Sequence, residues 1–151
     1  MAPLIVLVSL FAFLSVLGYF HLPVAFGWWT ALRLALAGMF LLTASAHWGK
    51  RRPDLIRMVP RQFPSPATLV TLTGIFELLG AVGLLFAQTA PYAALALALL
   101  LVAMFPANVQ AAREQLTIAG RPVMSLVPRT LLQLLFLAAT LAVYLGSRSA
   151  T

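Results

Sequence analysis

Leu69-Val70-Thr71-Leu72-Thr73-Gly74-Ile75-Phe76-Glu77-Leu78-Leu79-Gly80-Ala81-Val82-Gly83-Leu84-Leu85-Phe86 is a run of eighteen residues with a single charge, Glu77, in its middle. The run has the length and apolarity of a membrane span. A charge near a bilayer midplane costs about 2.5–3.5 kcal/mol on insertion scales, so it faces a protein interior and finds a partner there. The chain has only two other acids, Asp54 and Glu114, in or beside connections. The positions three and four residues from Glu77 are Thr73, Gly74, Gly80 and Ala81, all small. Small residues let a neighbouring helix approach, so this face of the span points inward.

Four more apolar stretches surround this one: Leu4–Phe20, Phe26–Trp48, Tyr92–Val109 and Thr130–Leu145, with the third span itself running Thr68–Phe86. The last is short and is extended by Val127 and Pro128 or met by snorkelling of Arg129 and Arg148. Prolines fall at or outside the predicted ends, except Pro106, which should kink the fourth span and free a carbonyl. Hydrophobic residues make up 62% of the 151, and charged residues only 9%, against about a quarter in soluble domains. The expected fold is all-α: an integral membrane helical bundle of five spans forming a single domain. The first stretch has no basic residue before its apolar core and no small-x-small cleavage site, so it reads as a retained helix and not a signal peptide.

Lys50, Arg51, Arg52, Arg57 and Arg61 follow span two, and Arg113, Arg121 and Arg129 follow span four, whereas segments 21–27 and 87–91 carry no base. The positive-inside rule then puts the N-terminus in the cytoplasm and the C-terminus outside, in the inner (cytoplasmic) membrane of the cell. The net charge of +7 belongs to this topology, and nucleic acid is not an expected partner. Within the first basic connection, Pro53-Asp54-Leu55-Ile56-Arg57-Met58-Val59 reads as a short helix. Its mixture of bases and apolar residues suits the headgroup interface, and equally suits a plain topogenic loop.

The absence of cysteine removes thiol nucleophiles, disulfides and thiolate metal sites. His21 and His47, the only histidines, are separated by span two and cannot clamp one haem. No metal site is expected, catalytic residues cannot be named, and no cofactor is evident; a quinone or a lipid is the candidate ligand. Arg33, Phe40 and His47 share a face of span two, and an Arg33–Glu77 ion pair is the economical expectation for two buried charges. Arg129, Gln133, Thr140 and Tyr144 share a face of span five, and Asn108 lies beside Pro106. Arg33, His47, Glu77, Asn108, Arg129, Gln133 and Thr140 should thus form one polar seam, a ligand site or helix-packing glue.

Several motifs from span two onward resemble the DoxX-like family of small membrane proteins. They are Ala46-His47-Trp48, Arg52-Pro53-Asp54-Leu55-Ile56-Arg57-Met58-Val59-Pro60, Phe63-Pro64-Ser65-Pro66, Thr73-Gly74-Ile75-Phe76-Glu77-Leu78-Leu79-Gly80, Phe105-Pro106-Ala107-Asn108, and Arg129 with Gln133. Trp48 stands where phenylalanine is usual, and Thr73 where serine is. The resemblance implies a four-helix core over 26–147, with residues 1–22 as an added span. It also implies a role beside redox chemistry: a small subunit of a thiosulfate:quinone oxidoreductase, a partner in thiol-stress complexes, or more distantly an assembly chaperone. Carrying the family's polar set across gives Arg33, His47, Glu77, Asn108, Arg129 and Gln133. The expected partners are the lipid bilayer, a membrane or peripheral protein, or a second copy of the chain. A transporter ranks last, because so small a chain lacks paired broken helices.

Overall fold

A computed structural model describes residues 2–20 and 27–148. It contains six helices: α1 (Ala2–Tyr19), α2 (Trp28–Ser45), α3 (Arg52–Met58), α4 (Pro66–Leu85), α5 (Ala90–Arg113) and α6 (Leu126–Arg148). All but α3 are long and apolar enough to cross a membrane, and they make the chain a multi-pass membrane protein. The start of the second predicted span, at Phe26, and His21 lie outside the described residues. The extension of the last span is realised, since α6 begins at Leu126, upstream of Val127 and Pro128.

Helices α2, α4, α5 and α6 close a ring: α2 packs on α4, α4 on α5, α5 on α6, and α6 back on α2. Small side chains make the ring tight. Ala35, Ala37, Ala81 and Ala94 are fully buried beside Leu36, Met39, Phe40, Leu84, Leu97 and Val143. Without a hydrophobic gain over lipid, such close packing and the polar cross-links supply the cohesion. Helix α1 lies outside the ring against α2, with Phe11 set edge-on to Trp28 at 4.8 Å between centroids. Its Ile5, Val8, Phe13 and Val16 are exposed, as lipid-facing residues must be.

The two basic connections meet at one end of the ring. Helix α3 begins at Arg52 with Pro53 in its first turn and packs on α4 and α5. The second connection forms a two-residue hairpin that the sequence reading passed over, β1 (Thr117–Ile118) paired with β2 (Arg121–Pro122). Its turn residues, Ala119 (φ 52°) and Gly120 (φ 73°), are both left-handed, as a tight hairpin turn requires. Asp54 Oδ2 accepts the Ala119 N–H at 2.9 Å, so α3 and the hairpin are latched together, and Asp54 also pairs with Arg57.

Candidate functional site

Glu77 is 3% exposed and faces α2, as the small residues around it predicted. Its Oε1 accepts the Thr43 hydroxyl at 2.5 Å, and its Oε2 lies 3.2 Å from His47 Nε2. The second contact is at ion-pair distance without a well-aligned hydrogen bond. His47 Nδ1 lies 2.7 Å from the Val70 carbonyl. A carbonyl has no proton to give, so Nδ1 carries one. The imidazole thus donates from Nδ1 to the α4 backbone and presents Nε2 to the Glu77 carboxyl group on the same helix. Gly74, one turn beyond Val70, permits this contact: a Cβ there would stand 2.6 Å from His47 Cβ.

The predicted Arg33–Glu77 pair does not form. Arg33 Nη1 donates to the Leu84 carbonyl at 2.9 Å, a free acceptor in the last turn of α4 where a cation also complements the helix dipole. Register explains the correction. Helices α2 and α4 run antiparallel, with Arg33 level with Leu84 and His47 level with Val70. Leu84 is seven residues, about 10 Å, from Glu77 along α4. Thr43, and not Arg33, stands level with the Glu77 carboxylate.

Arg52, noticed only as part of a loop motif, closes the same helix pair at the basic end. Its Nη1 donates to the His47 carbonyl at 2.9 Å, and its Nη2 donates to Thr71 Oγ1 at 2.8 Å and to the Ala67 carbonyl at 3.2 Å. It thus holds the C-terminal end of α2 on the first turns of α4. The short helix expected from Pro53 begins one residue earlier, at Arg52, and the reach of this guanidinium across two helix ends was not legible.

A second cluster ties α5 to α6. Arg129 Nη2 donates to Asn108 Oδ1 at 2.6 Å, Asn108 Nδ2 donates to Gln133 Oε1 at 2.8 Å, and Gln133 Nε2 donates to the Leu101 carbonyl. Each amide accepts at oxygen and donates at nitrogen, so the chain runs one way, from cation to backbone. Helix α5 continues past Pro106 to Arg113. The ring of Pro106 leaves the Val102 carbonyl without its helical donor, and Gln133 docks on the carbonyl beside it. The single seam expected from the sequence is thus two clusters, His47–Glu77–Thr43 and Arg129–Asn108–Gln133. Thr140 joins neither: fully buried, it returns its hydroxyl to the Phe136 carbonyl at 2.6 Å.

Between α4 and α5 an apolar groove of about 500 Å³ opens on the outer surface, lined by Phe76, Leu79, Gly80, Tyr92, Ala96 and Leu100 among others. Glu77, turned to α2, is not part of its wall. Among the described residues no three His, Asp or Glu side chains gather as metal ligands.

Residues 36–144 match the family described as "Domain of unknown function (DUF8561)". The chain belongs to that family. The DUF8561 segment runs from within α2 to within α6 and so contains Thr43, His47, Arg52, Glu77, Asn108, Arg129, Gln133 and Thr140, whereas Arg33 and α1 lie before it. Both polar clusters are thus inside the DUF8561 match, and the cap on α4 is outside it. No curated protein and no solved structure matches the chain.

Proposed function

We propose that this chain is a DoxX-like, non-catalytic accessory subunit or chaperone of a membrane redox or envelope complex. The reading places it in the inner membrane with the N-terminus in the cytoplasm, on the strength of the basic connections gathered at one end. One observation carries the accessory role. Thr43, His47, Glu77, Asn108, Gln133 and Arg129 contact one another and backbone carbonyls, and so act as cross-links between α2 and α4 and between α5 and α6. A rigid ring of this kind leaves its outer grooves and its basic end to meet other molecules. The motif resemblance to DoxX-like proteins points those surfaces toward a redox or thiol-stress partner. Cross-linking in native membranes followed by affinity purification tests this: a stoichiometric protein partner is expected, and recovery of the chain alone contradicts it.

The contact of His47 with Glu77 supports a second reading, a binding protein for a small lipophilic molecule such as a quinone. A carboxyl group beside an imidazole is suited to relay protons to and from a quinone. Under this reading Glu77→Gln weakens quinone binding by the purified chain at least tenfold. Unchanged binding, or none in the wild type, removes it.

A further inference from the structure

At the basic end, the two long connections and the last turn of α5 border an open pocket of about 350 Å³. Its apolar side chains come from three places: Ile56 of α3 with Val59 just after it, Pro66 at the start of α4, and Leu116 after α5. All four are half-buried. Arg61 and Glu114 stand exposed at the rim, and Gln110 donates to Glu114. The Asp54–Ala119 bond ties α3 to the hairpin, so the two connections hold one shape.

Depth puts this pocket in reach of water. Helix α5 has 24 residues, about 36 Å at 1.5 Å per residue, against a hydrocarbon core about 30 Å thick. Its last turn, which carries Gln110 and Glu114, therefore stands beyond the acyl chains. Half-buried apolar side chains at that level cannot be covered by lipid tails.

Charge says what kind of molecule covers them. Eight of the ten bases collect at this end, all but Arg33 and Arg148, against two acids, Asp54 and Glu114. Asp54 is already held by Arg57 and Ala119. Lys50, Arg51, Arg61, Arg113 and Arg121 are exposed and make no ion pair or side-chain hydrogen bond among the described residues. Membrane topology needs bases beside the spans, but it does not need an apolar pocket among them. A surface of this charge draws acidic partners and fixes their orientation.

We propose that the pocket seats an acidic segment, carrying an apolar side chain, of a peripheral protein on the basic side of the membrane. The apolar side chain enters between Ile56, Val59, Pro66 and Leu116, and a carboxylate beside it meets Arg61. Glu114 favours a peptide over a lipid headgroup, because a carboxylate repels a phosphate and accepts from a backbone N–H. The proposal rests on the accessory-subunit reading and states the chemistry of the partner.

The test titrates the purified full chain, in phosphatidylcholine nanodiscs, against a short fluorescent peptide alternating glutamate with leucine, with empty discs as the blank. The wild type should bind it about tenfold more tightly than the same peptide with serine for leucine, since burying one leucine is worth at least that. Arg61→Glu should weaken binding about tenfold. Arg121→Glu, the same charge change on the exposed hairpin outside the pocket, should leave it within about twofold. Neither arginine has a side-chain partner to lose, so both variants fold. Equal binding of the two peptides, equal losses in the two variants, or no binding overturns the proposal. Retention of phosphatidylglycerol that Arg61→Glu abolishes, without peptide binding, assigns the pocket to lipid and also overturns it. Capture of the partner from native membranes, repeated with Arg61→Glu, separates the two levels. A partner lost with Arg61→Glu supports the pocket, whereas a partner retained removes the pocket and leaves the accessory role standing. No partner in the wild type removes the accessory role, and the peptide titration then decides the pocket alone.

Discussion

His47 Nε2 and Glu77 Oε2 lie 3.2 Å apart across the α2–α4 contact, with Gly74 directly beneath the imidazole. The pair sets how closely the two helices approach and at what level. Thr43 and the Val70 carbonyl complete it from either side. The carboxylate that the sequence places in a membrane span is therefore sheltered by an element more than thirty residues away.

Gly74 is the first place to disturb this arrangement. An added methyl would overlap His47 Cβ and Cγ, at 2.6 and 2.7 Å, and the ring can retreat only by leaving Glu77. Overpacking of this kind costs about 1–3 kcal/mol. Gly74→Ala should therefore lower the melting temperature in detergent by several degrees. Gly27→Ala, where an added Cβ has nothing within 4 Å, should not. Equal melting of the two variants would contradict the close approach.

Arg33 should behave as a helix cap and not as a counter-ion. Hydrogen bonds from charged donors contribute about 1.5–3 kcal/mol, and the partial exposure of Arg33 puts it near the low end. Arg33→Met should destabilise by about 1.5 kcal/mol, and the loss should be the same in a Glu77→Gln background. Hydrogen exchange of amides in the last turn of α4 should rise. A loss that disappears in the Glu77→Gln background would restore the ion pair.

The latch between the basic connections should open in acid. The Ala119 N–H, and after it Arg57, hold the Asp54 carboxyl below its ordinary range. A folded-state value below the unfolded one means that the latch contributes fully above the unfolded carboxylate pKa of about 3.9. It is lost as pH falls through the lower folded value. The Ala119 amide should be protected from hydrogen exchange at pH 6 and lose that protection in acid, at a pH below the ordinary carboxylate range, after correction for intrinsic rates. Asp54→Asn should bring the same loss at pH 6. Protection that is indifferent to both would show that the hairpin stands without Asp54.

The spans, the basic end and the inward face of Glu77 were legible because each follows from one residue's cost in hydrocarbon or from a local pattern. Gly74 and Gly80 announced close approach, and the structure sets them against His47 and Leu97. Partner identity was not legible. Arg33 and Glu77 both needed a partner, but the antiparallel register of α2 on α4 brings Thr43 and His47 to Glu77, a relation between helices that no periodicity within one of them encodes. Thr140 illustrates the same limit, since a buried hydroxyl can be satisfied by its own helix and leave no trace of a site. The Ala119–Gly120 turn was hidden because alanine is a poor signal for a left-handed position.

A double-mutant cycle between His47 and Glu77 tests the central claim, a carboxylate sheltered between helices by its pairing with the imidazole. The reversible unfolding free energy in detergent or bicelles would be measured for the wild type, His47→Ala, Glu77→Ala and the double variant. Side-chain couplings between membrane helices measure about 0.6 kcal/mol on average and reach about 1.7; a buried ionisable pair should fall in the upper half of that range. A favourable coupling above about 1 kcal/mol is the predicted result. Strictly additive losses, or a Glu77→Ala variant as stable as the wild type, would contradict it.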